Sequence, residues 1–222
     1  LEITGNIKAI PINGLKGCSS LQSIILPESV KRIENSAFEG CISLKKITIL
    51  SPEISIGQRS FEGVISIEIS GNIKVIPING FKGCSSLQKI IVPESVEKIE
   101  DSAFEGCASL SRITFMSTNI NTGMNVFLGI KNIEILGNII KTPKNIFKGC
   151  TSLISISIPK SVSEISESSF EGCISLSEIN NTSSIITIGK SAFKGCSSLN
   201  QIPISSSVTS IGDFAFYECF SI

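Results

Sequence analysis

The chain has 222 residues, 41% apolar and 17% charged, and its 19 basic and 19 acidic side chains balance to zero net charge. That balance gives no electrostatic reason to expect nucleic acid or an anionic membrane as a main partner, and no stretch approaches the roughly 18 apolar residues of a membrane-spanning helix. Histidine is absent, which excludes Ser-His-Asp and Cys-His catalysis and histidine-ligated metal; there is also no glycine-rich phosphate loop before a helix. Residue 1 is Leu, and no basic segment with an apolar core behind it opens the chain. The expectation is a piece of a longer protein, with any export signal or anchor outside it.

A motif Phe-x-Gly-Cys-x-Ser-Leu recurs along the whole chain. Its first position falls at Leu15, Phe38, Phe61, Phe81, Phe104, Phe127, Phe147, Phe170, Phe193 and Phe216, at intervals of 23 residues except for two of 20. The units anchored at Phe61 and Phe127 are the short ones; they lack the stretch Leu-Lys-Lys that stands at Leu44 to Lys46. A longer period overlies this one. "GNIKAIPINGLKGCSSLQ" near the start returns as "GNIKVIPINGFKGCSSLQ", so residues 1–49 nearly repeat 67–115. A three-unit block has been duplicated, and residues 1–222 are expected to form one array of about ten units.

Within a unit the elements follow in a fixed order. Six residues after the anchor begins Leu-x-x-Ile-x-Ile, as in Leu44, Ile47, Ile49 and in Leu110, Ile113, Phe115. Alternation and β-branched content predict a short strand with one inward face. Pro27, Pro93 and Pro159 close that strand, where a missing amide donor is tolerated. A second apolar pair follows, Val30/Ile33, Val96/Ile99, Val162/Ile165 and Val208/Ile211, and predicts a second short strand or extended turn. The Ala-Phe-x-Gly-Cys corner has room for at most one helical or 3-10 turn. No unit can bury its apolar stripe alone. Stacked units place Phe on Phe and Ile on Ile, and each buried Phe or Leu contributes about 1.5–3 kcal/mol. The expected fold class is a β-rich solenoid, a right-handed superhelix with a parallel β-sheet face and short turn or 3-10 corners.

Eight cysteines occupy a single phase, Cys18, Cys41, Cys84, Cys107, Cys150, Cys173, Cys196 and Cys219. Neighbours in a row have parallel Cβ vectors, poor for disulfides, and a row does not converge on a metal. Val64 and Ile130 take the same slot in the short units. The slot therefore calls for a compact apolar group, and buried free thiols are expected. No cofactor or metal site is expected. The position after each anchor reads Lys16, Glu39, Glu62, Lys82, Glu105, Leu128, Lys148, Glu171 and Lys194, a row in which most neighbours have opposite charge.

Outward positions of the main strands form the candidate contact surface. The residues singled out are Lys46, Thr48, Glu68, Lys89, Ile91, Arg112, Thr114, Met116, Asn132, Glu134, Glu178 and Asn180. Mixed Ser/Thr, scattered charge and exposed apolar groups suit protein contact better than a small-molecule pocket, and repetition would supply avidity. Asn180 and Asn181 each begin an Asn-x-Ser/Thr sequon, an acceptor for glycan in an exported eukaryotic protein.

The phrases "SVKRIENSAFEGCISLKKITI", "IGKSAFKGCSSLNQIPI" and "VTSIGDFAFYEC" resemble the BspA-like, or Treponema-type, leucine-rich repeat family. The resemblance implies a cell-surface or secreted protein of a bacterium or parasitic protist, no catalytic residues, and in many members adhesion to host proteins or other cells. The expected partner is then a host extracellular or partner-cell protein. The alternative is a structural array that self-associates through its repeat ends, since neither end shows a polar cap. The chain departs from the family pattern in its short units and at Ser117 to Met124, where Ile120 is out of phase and a local distortion or protruding loop is expected.

Overall fold

The computed structural model describes residues 1–201 and 206–222, so the end of the phrase "IGKSAFKGCSSLNQIPI" lies outside the described residues. The chain winds as a parallel β-solenoid of about nine turns with almost no helix. Among the described residues one sheet of eight parallel strands runs along it: Ser23–Leu26, Lys46–Ile49, Ser66–Gly71, Lys89–Val92, Arg112–Phe115, Asn132–Leu136, Ser155–Ser157 and Glu178–Asn180. Alternation does what the pattern predicts. Ile47 and Ile49 are buried while Lys46 between turns of the pleat is exposed.

The anchors form a continuous aromatic stack inside the corners. Successive rings from Phe38 to Phe216 lie 5.0–5.5 Å apart, all but one pair close to parallel. The corner is built of short turns, as expected. It is a string of tight turns, Gly14 N to Pro11 O at 2.9 Å, Lys16 N to Asn13 O at 3.0 Å and Cys18 N to Leu15 O at 3.1 Å, repeated in the later units. A left-handed residue two places before each anchor, such as Asn13, Ser36, Arg59 and Asn79 with φ of 54–58°, interrupts any helical run. That reversal aims corner amides along the stack: Leu15 N donates to Ala37 O and Gly17 N to Glu39 O of the next turn. Backbone groups that would otherwise be buried unpaired are thereby satisfied. Among the described residues the 3-10 helix is Thr182–Ser184, away from the corners.

The second apolar pair does form strands, each two residues long, but they do not make one ladder. Ala9–Ile10, Arg32–Ile33 and Ser55–Ile56 form one sheet; Val75–Ile76, Lys98–Ile99 and Asn121–Thr122 a second; Glu164–Ile165, Thr187–Ile188 and Ser210–Ile211 a third. The two seams fall where the chain enters the 20-residue units. Main-sheet register shows why. Between regular turns Lys89 faces Arg112, each eight residues after its anchor, whereas Lys46 faces Glu68, which follows Phe61 by seven. Between the main strand and the second edge a further two residues are missing, as Ile49 precedes Ser55 by six but Gly71 precedes Val75 by four. The second edge is thus pulled out of register, while the main strand slips by two residues relative to the unit alignment. An even slip keeps every side chain on its own face.

Two residues mark each slip. Gly71, with φ of 103°, ends its strand so close to the preceding turn that a Cβ would stand 2.1 Å from Ile49 O; Gly137, with φ of 111°, has the same relation to Phe115 O. Pro77 and Pro143 occupy the place from which Gly57, Glu100 and Gly123 each donate a backbone amide to the turn before. Proline has no such donor, and at a seam none is required. The segment Ser117–Met124, expected to distort or protrude, stays in the ladder: Asn121 N donates to Glu97 O at 2.9 Å, Gly123 N to Ile99 O at 2.8 Å, and Ile120 is buried. Its apolar residue is displaced because it ends a sheet, the position that Ile54 holds at the first seam.

Candidate functional site: the outward strand face

All of the outward residues picked from sequence lie on the eight-stranded sheet, with Met116 immediately after its strand. The slip sets who meets whom. Lys46, Glu68, Ile91 and Thr114 stand in one row across four strands, and Lys89, Arg112, Glu134, Ser157 and Asn180 in the next. Asn132 and Glu178 share a third row with Ser155 between them, and Thr48 meets Ser70 with their hydroxyls 2.9 Å apart. Both slips create an ion pair: Lys46 Nζ to Glu68 Oε1 at 2.7 Å and Arg112 Nε to Glu134 Oε2 at 2.8 Å. Simple alignment of the units hides both pairs, because deleting Leu-Lys-Lys places Thr48 beside Glu68.

Where the first slip opens the sheet, a hollow of about 420 Å³ lies on this face, lined by Glu68, Ile69, Ser70, Ile91, Pro93, Glu94 and Met116. Met116 is 57% exposed. Pro93 and Glu94 are additions that outward-facing strand positions do not reveal, since they follow the strand end. A second groove of about 560 Å³ marks the first seam on the opposite edge, lined by Lys31, Glu53, Ile54, Ser55, Val75, Pro77 and Glu100.

The cysteine row is a core feature. The cysteines are free; Cys41, Cys84, Cys107, Cys150, Cys173 and Cys196 are buried, Cys219 is half-buried and Cys18 is exposed. The slot is more than a compact apolar space, because the thiol donates to the anchor carbonyl of the turn before, as Cys107 does to Phe81 O and Cys173 to Phe147 O, both at 3.1 Å. Burial pushes the thiols of Cys84 and Cys150 up to about 12 from 9.0, and raises Cys107, Cys173 and Cys196 as well. These thiols stay protonated and unreactive at neutral pH. Along the corner the charge row pairs as expected: Lys16 with Glu39, Lys82 with Glu105 and Lys148 with Glu171, at 3.0, 3.0 and 2.9 Å. The Ser102 hydroxyl and then Lys82 hold the Glu105 carboxyl below its usual value. At the sequons, Asn180 is exposed, whereas the Asn181 amide nitrogen donates to Ser157 Oγ and Ile158 O.

No curated protein matches the chain. Among solved structures, a leucine-rich repeat protein from Bacteroides ovatus is 23% identical with a TM-score of 0.51, over 97% of this chain and 81% of that one. A leucine-rich cell surface protein from Faecalibacterium prausnitzii is 24% identical with a TM-score of 0.41, over 91% and 72%. A leucine-rich repeat protein from Eubacterium ventriosum is 18% identical with a TM-score of 0.48, over 98% and 82%. The first of these shares the fold. The family model for the BspA type leucine rich repeat region matches residues 8–134 and 127–222 in six copies, and with the repeat, its corner and its stacking all in place, the chain belongs to that family.

Proposed function

We propose that this array is a non-enzymatic protein-binding module, displayed at a cell surface or secreted, that adheres to host or partner-cell protein through its outward strand face. The observation that carries the proposal is the continuity of that face. Eight strands in one sheet present Lys46, Glu68, Ile91, Thr114, Lys89, Arg112 and Glu134 in two aligned rows. Charges, hydroxyls and part-exposed apolar groups alternate there at fixed spacing, which suits many modest contacts summed over length. Family membership supports surface display. The absence of histidine and the burial of six of the eight thiols support the non-enzymatic reading.

The test is a binding screen against extracellular-matrix proteins, with charge reversal at Lys46, Lys89 and Arg112. Retained protein that binds, and a reversal variant that loses at least tenfold in affinity, is the expected result. Binding indifferent to the three reversals would remove the strand face from the proposal.

A further inference from the structure

The hollow at the first slip has a chemistry of its own. Its floor and walls are Ile69, Ile91, Pro93 and Met116, and both of its charged groups are carboxylates, Glu68 and Glu94; no cation lines it. Glu68 is held by Lys46 on one side, and Glu94 makes no ion pair among the described residues. An apolar trough with acidic ends matches one kind of side chain, a long aliphatic stem that ends in a positive charge.

The three-turn block supplies an internal comparison. One block earlier, Glu2, Ile25, Pro27, Glu28 and Leu50 stand where Glu68, Ile91, Pro93, Glu94 and Met116 stand, and Glu2 bridges Ile25 as Glu68 faces Ile91. One block later three of the five change, Ser157 for Ile91, Lys160 for Glu94 and Thr182 for Met116, while Glu134 and Pro159 keep the places of Glu68 and Pro93 and Leu136 takes that of Ser70. The second slip therefore shares the backbone device but has a lysine in place of the second carboxylate and has lost the apolar side chains of Ile91 and Met116.

We infer that the hollow formed by Ile91, Pro93 and Met116 with Glu68 and Glu94 is the seat for a lysine or arginine side chain of a partner protein, the stem lying on the apolar floor and the cation between the carboxylates. This deepens the strand-face proposal and rests on it. It assigns the recognised feature to a basic residue flanked by chain that can lie flat on the sheet.

The chain has two methionines, Met116 in the hollow and Met124 exposed outside it, so methyl-labelled methionine gives one reporting and one control resonance. Titration with hexylammonium, a free mimic of the lysine stem and head, is expected to move the Met116 methyl signal saturably and leave Met124 in place. Hexanoate should leave both unmoved, and hexanol should bind more weakly than hexylammonium. Glu94→Gln should weaken hexylammonium about two- to fivefold, the range of an exposed ion pair, and Ile91→Ser should abolish the shift. Equal movement of both methionines, equal response to hexanoate or hexanol, or indifference to Glu94→Gln would overturn the assignment. Such a result would leave the matrix-binding screen and its charge reversals untouched, so the two proposals fail separately.

Discussion

The units anchored at Phe61 and Phe127 hold the same place in successive three-turn blocks as the unit anchored at Phe193, yet they are 20 residues long and it is 23. Across the two short units the second ladder breaks; across the long one it continues, with Thr187 facing Ser210 and Ile188 facing Ile211. Composition is not the cause, since the short units keep the Phe anchor, the alternating strand and the corner turns. Chain length is. One residue is lost before the main strand and two after it, so the main sheet pairs two residues away from the register that deleting all three before the strand would give, inward side chains still facing inward, while the short second edge cannot stay in register. The sequence then accommodates the break with Gly71 and Gly137 at the close approach and Pro77 and Pro143 where no amide is needed.

The largest expected effect separates the two kinds of turn by pH. Regular turns carry a cysteine in the core slot, and the short ones carry Val64 and Ile130. Cys84 and Cys150 titrate near 12 when folded against 9.0 when free. Folded values above the unfolded one mean full stability below about pH 9 and loss as pH rises toward 12. By about pH 10 each of these two thiols removes on the order of 1 kcal/mol, and the other buried thiols add to it. Urea midpoints should be flat to about pH 8.5 and fall steeply above it, and Cys84→Val with Cys150→Val should reduce the slope. A midpoint unchanged at about pH 10 would contradict the burial of the row. In native protein near neutral pH, Cys18 should react with a thiol reagent and the six buried cysteines should not.

Next in size is the glycine at the slip. Gly71→Ala brings a Cβ against Ile49 O in addition to a strained φ, with an expected cost of about 3–4 kcal/mol in denaturant unfolding. Gly5 has a similar φ of 118° and nothing within 4 Å of its would-be Cβ, so Gly5→Ala should cost only about 1–2 kcal/mol. Equal losses at both positions would mean that the close approach contributes nothing.

How much of this was legible in the sequence follows from the same geometry. Phe at the corner, Leu-x-x-Ile-x-Ile along the strand and the second apolar pair could be read because identical residues recur at one period and must stack. Pairing of Lys16, Lys82 and Lys148 with Glu39, Glu105 and Glu171 was legible for the same reason. The slip was not. Ile67 and Ile69 point inward in either register, so the hydrophobic pattern is blind to an even shift, and with it to the Lys46–Glu68 and Arg112–Glu134 pairs and to the hollow beside Met116. The corner conformation was hidden as well. Asn13 and Asn79 hint at left-handed backbone, but Ser36, Arg59 and Phe214 in the same position do not.

A smaller effect should follow from restoring the missing length. Inserting Leu-Lys-Lys after Ser66, together with Pro77→Glu to supply the amide, is expected to join the Ser55–Ile56 edge to Val75–Ile76 as Arg32–Ile33 joins Ser55–Ile56. Hydrogen exchange at Val75 should slow by about tenfold. Unchanged exchange would show that something other than length opens the seam.

The smallest effect tests the slip directly, through a contact that only the slip creates. Lys46 and Glu68 are about half exposed, at 49% and 42%, so a double-mutant cycle to alanine in the natural chain should give a coupling of about 0.2–1 kcal/mol, weaker in high salt. In the lengthened chain the main strand returns to the regular register, in which Lys46 faces the inserted Lys and Glu68 moves two residues along. The coupling should then fall to zero, while that of Lys82 with Glu105, between two regular turns, stays the same in both chains. Glu105 is depressed by Ser102 and Lys82, so its coupling is present above the normal carboxylate range and disappears as pH falls through the lowered value. Coupling between Lys46 and Glu68 that persisted in the lengthened chain would mean the two side chains find each other without the slip, and that unit length does not set the register of this face.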